Sequence, residues 1–297
     1  MNRPGPAQER YLTDKHLRKL PLMTDEGLLR SLRDQNRALH DEPARLANVI
    51  SEIARRLEDY RWCNWFASTS AVDVVVAALL SREADVQLAA LCAINEGLLT
   101  VHQRDEWEDA AQRNLRLHQL ANWAIPTILN MVLHKYVPPV PPCPRRASPQ
   151  RVAVIEERVQ VLLQTACRIP AAALHACASL TRSNAALAEL AVRRGAVATA
   201  LAVLQADGLW LERGAEPGSR NPRTWHGGAE AGDAAATLLA AVADSPGAAA
   251  DVLQRGGVEI LLRHLRVNSR TGECAEALRR LSRHHECCEE IKLRRTQ

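Results

Sequence analysis

Aromatic residues are scarce in this chain of 297 residues, which has six Trp, three Tyr and a single Phe, or 3% of the total. The cores of β-sandwiches use aromatic and β-branched side chains, so this scarcity disfavours that fold class. Alanine, by contrast, occurs 48 times, and it has the highest helix propensity of all residues. The hydrophobic fraction of 47% and the charged fraction of 24% exclude a disordered or collagen-like chain. We therefore expect closely packed helices.

The chain also lacks the features of secreted, disulfide-rich and membrane-spanning proteins. Its eight cysteines are scattered and form no CxxC pair, and its N-terminus has no apolar segment of the kind found in signal peptides. No uninterrupted apolar run approaches the 18 residues that a membrane-spanning helix requires. These absences predict free thiols, no membrane span and an intracellular, cytoplasmic protein, with association with the cytoskeleton left open.

The motifs of common catalytic sites are absent as well. The sequence has no GxxxxGK[ST] phosphate loop, no GxSxG nucleophile motif and no HExxH zinc motif. The segment His226-Gly227-Gly228 resembles an oxyanion loop, but no nucleophile motif accompanies it. We therefore predict that the protein is not an enzyme and uses no cofactor.

One cluster near the C-terminus has the residue types of a metal site. His284 and Cys288 are four residues apart, which places them on one face of a helix, and the only further ligands nearby are Cys274 and His264. A structural zinc site needs four ligands with suitable spacing. We therefore predict no metal site, and an ordinary helix in this region.

Most long segments of the chain have helical periodicity, and two of them are similar to each other. Residues 183–205 and 245–266 both begin with Ser and contain a short apolar helix that ends in Arg-Gly, at Gly195 and at Gly256. A glycine at the end of a helix accepts the left-handed conformation, which lets the chain turn sharply. A second apolar helix follows each glycine, and an alanine- and leucine-rich third helix comes after that.

This unit of a short helix, a glycine turn and two longer helices resembles the armadillo repeat. Two weaker copies precede it, one within residues 70–99 and one at Trp123-Ala124-Ile125-Pro126, which is similar to the Gly-Ala-Ile-Pro start of the family's second helix. The resemblance covers about residues 60–295, with HEAT repeats as the alternative. It implies an all-α fold, namely a right-handed α-solenoid of armadillo-like three-helix repeats.

The resemblance also divides the chain. Residues 1–24 are expected to be a disordered N-terminus and residues 25–60 an N-terminal helical cap, with Thr24-Asp25 as a helix start. The repeat domain then covers residues 61–297. Armadillo repeats run about 40–47 residues, and corresponding positions here are farther apart. We assign the extra residues to insertions at 102–116, 137–150 and 207–228.

In armadillo proteins the third helices line a concave face that binds extended peptides, often through an asparagine. The resemblance implies such a face here, on residues 84–99, 151–168, 229–243 and 271–283. Asn95 occupies the asparagine position in the first copy, whereas Ala241 and Arg280 occupy it in the last two. The ladder of asparagines is therefore absent, and Asn95 is either a binding residue or a solvated polar residue.

A basic stripe lies on the last third helix. Glu276, Arg280 and Arg283 are spaced at i, i+4 and i+7, and Arg279 adds to the same edge. We interpret these residues as contacts for an acidic partner segment, since arginine binds carboxylates with two parallel hydrogen bonds. The alternative is a solvated face with an intrahelical Glu–Arg pair. Leu278 and Leu281 are predicted to face the core.

The insertion at 137–150 contains six prolines, which favour a polyproline II conformation. Pro141, Pro144 and Arg146 fit the PxxPxR pattern, which resembles a ligand of SH3 domains. Ser148 follows two arginines and resembles a site for a basophilic kinase. The alternative to both functions is a plain spacer loop.

These observations together predict a non-catalytic protein-binding scaffold or adaptor. Its expected partners are proteins with an acidic or extended segment. The alternative is a nucleic-acid-associated helical-repeat protein, which would require a continuous basic face and stacking aromatics. The net charge of +4 is modest for this alternative, and the tryptophans do not recur at repeat spacing. The sequence leaves the oligomeric state open.

Overall fold

A computed structural model describes ten parts of the chain, and those parts form helices without any β-strand. The all-α prediction is thereby confirmed for them. No helix among them combines the length and the hydrophobicity that a membrane crossing requires. The described residues are 23–37, 43–57, 62, 65–66, 69–102, 110–135, 168–182, 184–214, 226–267 and 272–295.

The chain divides into two compact units, Met1–Ala124 and Ile125–Gln297. The first five helices are α1 (Asp25–Arg37), α2 (Pro43–Arg56), α3 (Ala71–Ala78), α4 (Ala84–His102) and α5 (Ala110–Lys135). In the first unit, α2 packs most extensively against α4, α1 contacts α2 and α3, and α3 contacts α4. Helix α5 contains the division between the units, after Ala124.

The first helix begins where the sequence predicts it. The amide of Gly27 donates a hydrogen bond to Thr24 Oγ1 at 3.3 Å, which satisfies one of the unpaired amides of the first turn. Leu28 and Leu32 of α1 are fully buried, as are Leu46 and Ile50 of α2. The predicted cap at 25–60 is therefore helical in its described residues.

A buried ion pair on α2 holds the backbone that immediately precedes α1. Glu52 of α2 accepts hydrogen bonds from Arg55 and Arg56, and Arg56 Nη1 also donates to the Met23 carbonyl at 3.0 Å. The Arg56 guanidinium lies 4.4 Å from the centre of the Trp62 ring. The hydrogen bond from Arg55 lowers the pKa of Glu52 below 4.5, against the effect of burial, and Arg56 lowers it further.

Eight described helices of the second unit follow α5. They are α6 (168–181), α7 (Ala185–Arg193), α8 (Ala196–Gly214), α9 (His226–Val242), α10 (Pro246–Gln254), α11 (Gly257–Val267), α12 (Gly272–Leu281) and α13 (His285–Arg295). Helix α7 contacts α10, α8 contacts α11, α9 contacts α12, and α10 contacts α13. Each helix from α7 to α10 thus packs against the helix three positions later, and the triplet α7–α9 stacks on the triplet α10–α12.

Glycines make the sharp turns inside both triplets. Gly195 has φ +90° and Gly256 has φ +64°, and side chains of L-residues rarely tolerate this left-handed backbone. The prediction for both Arg-Gly turns is confirmed. The next residue, Gly257, allows a close approach, since a Cβ there would lie 2.9 Å from side-chain carbons of Leu201 and Val252.

Three helices differ from the sequence-based expectation. Helix α6 was not predicted, because it is buried on nearly every side and therefore lacks amphipathic periodicity. Helix α5 runs through Pro126, so the Trp-Ala-Ile-Pro segment is not a helix start as predicted. Helix α8 extends to Gly214, into the stretch interpreted as an insertion. Of the predicted helix at 151–168, only Arg168 is described.

The described cysteines lie mostly in helix interfaces. Burial raises the pKa of the Cys177 thiol to about 12 and also raises that of Cys287, so both remain protonated at neutral pH. No disulfide bond joins any of the cysteines that the structure describes, which are Cys92, Cys177, Cys274, Cys287 and Cys288.

We expect Gly256→Ala to destabilise the protein by about 1–2 kcal/mol, since an L-residue is strained in the left-handed conformation. The matched control is Gly272→Ala, because an added Cβ at Gly272 meets no atom within 4 Å and the backbone there is not left-handed. Urea unfolding of both variants measures the difference. Equal free energies of unfolding for Gly256→Ala and the control would contradict the strained turn.

The orientation of α12 can be tested with neighbouring residues. Leu278 is 5% exposed, and Leu→Ala substitutions at buried sites cost about 2–5 kcal/mol. Arg279 next to it is 58% exposed, so Arg279→Ala should leave thermal melting nearly unchanged. A larger loss for Arg279→Ala than for Leu278→Ala would show that α12 presents the opposite face to the core.

Candidate partner-binding groove

A groove lies between α9 and α12 in the second unit and encloses about 250 Å³. Both are the third helices of their triplets, so equivalent elements form its two walls. We call it the α9–α12 groove. Its lining residues are Thr237, Ala240 and Ala241 of α9, Gly272, Glu273, Glu276 and Arg280 of α12, and Arg182, which follows α6.

Small side chains of α9 shape the floor of the groove. Ala234, Ala235 and Ala236 are fully buried in the core, and Ala240 and Ala241 are 7% exposed. The Thr237 hydroxyl donates to the Asp233 carbonyl of its own helix at 2.9 Å. Alanine keeps the floor shallow and apolar, and it allows a bound chain to approach the α9 backbone closely.

Glu276 lies between two arginines of its own helix. Arg279 Nε is 2.6 Å from Glu276 Oε2, and Arg280 Nε is 2.7 Å from Glu276 Oε1. The hydrogen bonds from Arg279 and then Arg280 lower the pKa of Glu276 from 4.5 to about 2. The carboxylate is therefore ionised at neutral and mildly acidic pH.

Asp244, in the turn between α9 and α10, connects these arginines to the neighbouring triplet. Its carboxylate lies 3.3 Å from Arg280 Nη1 and 2.8 Å from Arg283 Nη1. His284 Nε2 lies 2.8 Å from the Ala243 carbonyl in the same turn. These contacts hold the C-terminal end of α12 against the α9–α10 turn.

The structure brings together all four residues of the predicted basic stripe. Their charges are largely compensated, however, since Glu276 pairs with Arg279 and Arg280, and Asp244 pairs with Arg280 and Arg283. The pairs of Glu276 with Arg279 and Arg280 lie within α12, as the alternative interpretation of a solvated face with an intrahelical Glu–Arg pair predicts. Of the three arginines, only Arg280 lines the groove.

Arg182 and Glu273 are groove residues that the sequence did not indicate. Both side chains are exposed, and neither forms an ion pair within the described part of the chain. Arg182 follows α6, a helix that was not predicted, whereas Glu273 lies on α12. No helical spacing along the sequence therefore relates the two residues. Their charges are available to a binding partner.

The other predicted site residues lie elsewhere. Asn95 is half-buried in α4 of the first unit and is not a groove residue. The proline-rich residues Pro141, Pro144 and Arg146 and the predicted phosphorylation site Ser148 fall outside the described residues. Within the described helices and turns, no three side chains form a group that could hold a metal ion.

The ion pairs of Glu276 give a prediction for acid stability. A carboxyl whose pKa is lower in the folded state stabilises the fold above pH 4.5 and loses this effect as pH falls towards 2. Exposed ion pairs are weak, so Glu276→Gln should lower the melting temperature by about 1–3 °C at pH 7. Thermal melts at several pH values should show this difference shrinking below pH 4.5.

The matched control is Glu273→Gln, which removes a neighbouring charge on α12 that has no ion pair in the described residues. It should melt like the parent protein at pH 7. A Glu276→Gln effect that is absent at pH 7, or undiminished at pH 3, would contradict the assigned pairs.

No protein-family model matches the sequence, and no curated protein matches it. Among solved structures, the chain is similar to an engineered protein determined by crystallography, with a TM-score of 0.35 and 16% identity. The similarity covers 84% of this chain and 95% of the engineered protein. A TM-score this low supports no conclusion about fold or function.

Proposed function

We propose that the protein is a non-catalytic scaffold or adaptor that binds an extended segment of a partner protein in the α9–α12 groove. The observation that carries this proposal is the groove itself, an open cavity with an alanine floor and two exposed charges, Arg182 and Glu273, that form no ion pair within the described residues. Ligand sites are usually concave and contain a few convergent polar groups, and this groove combines small side chains with four charged ones.

We also propose that the stacked triplets are armadillo-like repeats of a right-handed solenoid. Two features support this. Each helix of one triplet contacts its equivalent in the next, as nearest-neighbour stacking in solenoids requires. Each triplet also turns between its first and second helix at a left-handed glycine, Gly195 or Gly256. In such a solenoid the groove lies on the binding face.

The chemistry of the groove favours an acidic group on the partner. Arg280 and Arg283 are engaged by Asp244, so a partner carboxylate would have to displace an existing pair to bind them. Arg182 has no ion pair in the described residues, and its guanidinium can form two parallel hydrogen bonds to a carboxylate. The alanine floor beside it leaves room for the partner main chain.

The groove favours protein over the alternative of nucleic acid. Its four charged lining residues are two arginines and two glutamates, Arg182, Arg280, Glu273 and Glu276. A phosphate backbone is recognised by clustered positive charge, whereas a balanced set of charges suits a peptide with side chains of both signs.

Affinity capture of the tagged protein, followed by binding measurements with the isolated partner, tests the proposal. We expect Arg182→Glu to weaken binding about tenfold or more, which corresponds to about 1.4 kcal/mol for one lost charged contact. The matched control is Arg193→Glu on α7, which reverses an exposed charge outside the groove. Both variants should melt like the parent protein.

Two results would reject the proposal. Equal binding by Arg182→Glu and Arg193→Glu would place the partner site away from the groove. Capture that is lost after nuclease treatment would favour the nucleic-acid alternative.

A further inference from the structure

A buried histidine in α11 has no hydrogen-bond partner among the described residues. His264 is 0% exposed, and both Nδ1 and Nε2 lack a partner in this part of the chain. Buried polar groups are nearly always hydrogen-bonded, and leaving one unpaired costs free energy of folding. A leucine would fill such a core position without this cost, so the imidazole at position 264 requires an explanation.

The position of α11 makes this side chain central to the second unit. Helix α11 is the middle helix of its triplet and contacts α8, α10, α12 and α13. Its neighbours Leu261 and Leu262 are buried core residues. A change at His264 therefore acts on the packing of every helix from α10 to the end of the described chain.

Among the side chains that the structure describes, neither those of α11 itself nor those of α8 and α10 offer His264 a charged partner. On α11, Glu259 pairs with Arg263 and with Arg294 at the surface, and Arg266 is exposed. The residues of α8 whose side chains are described, 196–206, contain no ionisable side chain. On α10, Asp251 pairs with Arg255 at 2.6 Å.

The described ionisable groups on α12 and α13 do not supply a charged partner for His264 either. Their buried ionisable groups are the thiols Cys274 and Cys287. The ion pairs on these helices are Glu276 with Arg279 and Arg280 on α12, and Glu289 with Lys292 and Glu290 with Arg294 on α13. Glu273, His285 and Glu286 are exposed, and Cys288 is half-buried. A proton taken up by His264 would thus place in the core a charge that no described side chain compensates.

We propose that His264 makes helices α11–α13 an acid-sensitive element. The neutral imidazole is accommodated in the packed triplet. The imidazolium has neither a counter-charge nor an acceptor among the described side chains, so its formation favours an open arrangement in which water reaches the ring.

The direction of the pH dependence follows from linkage. Burial lowers the pKa of His264 below its ordinary 6.5, so the open state binds the proton more readily than the closed state. The stability of these helices is complete above pH 6.5 and falls below it, until the pKa of the closed state is reached. For one proton, the ratio of open to closed molecules rises about tenfold per pH unit in this window.

Native-state hydrogen exchange of the full chain tests the proposal. After correction for intrinsic exchange rates, the opening of amides in α11 and α12 should increase about tenfold per pH unit below 6.5. His264→Leu should abolish this dependence and exchange more slowly at every pH. His285→Gln, the matched control, removes an exposed histidine and should behave like the parent protein.

The proposal is overturned if opening in the parent protein does not depend on pH, or if His264→Leu retains the parent dependence. Should His264→Leu fail to fold, NMR titration of the parent protein with labelled histidine decides the question. A His264 ring that titrates well below 6.5, together with opening of α11, supports the proposal. A ring that titrates at or above 6.5 overturns it.

Discussion

Close packing of small side chains is the constraint on which the second unit depends. The fully buried alanines of α9 and the absence of a Cβ at Gly257 let neighbouring helices approach one another directly. Two helix triplets can then stack with each helix on its equivalent. Because protein interiors are packed to crystal-like density, larger side chains at these positions would separate the triplets and remove the contacts that stabilise them.

The same packing determines where the charges lie. Alanine-rich interfaces have no room for ionisable groups, so the arginines and carboxylates of α12 lie at its edge and pair with one another or with Asp244. These exposed pairs contribute little stability individually. They do, however, hold Arg280 and Arg283 in defined positions. Arg182 and Glu273, which have no ion pair within the described residues, then remain as charges beside the alanine floor of the α9–α12 groove.

His264 departs from this separation of core and surface. Three other buried polar side chains have partners. Glu52 binds Arg55 and Arg56, Gln87 donates to the Leu79 and Ser81 carbonyls, and Ser245 donates to Glu189 across two stacked helices. An unpaired imidazole in the middle helix of a triplet costs stability at neutral pH. It also places a group that can acquire charge at mildly acidic pH in the core of the unit.

The sequence by itself determined the helical class, the two Arg-Gly turns, the start of α1 and the buried face of α12. These features depend on local propensity, on glycine's tolerance of positive φ, and on the spacing of apolar residues, all of which a single segment contains. Only the tertiary structure revealed α6, the continuation of α5 through Pro126, and the set of residues that line the groove. Helix α6 is buried on nearly every side and has no periodicity to detect. Arg182, Asp244 and Glu276 come from three segments, and no spacing along the chain encodes a contact that only packing creates.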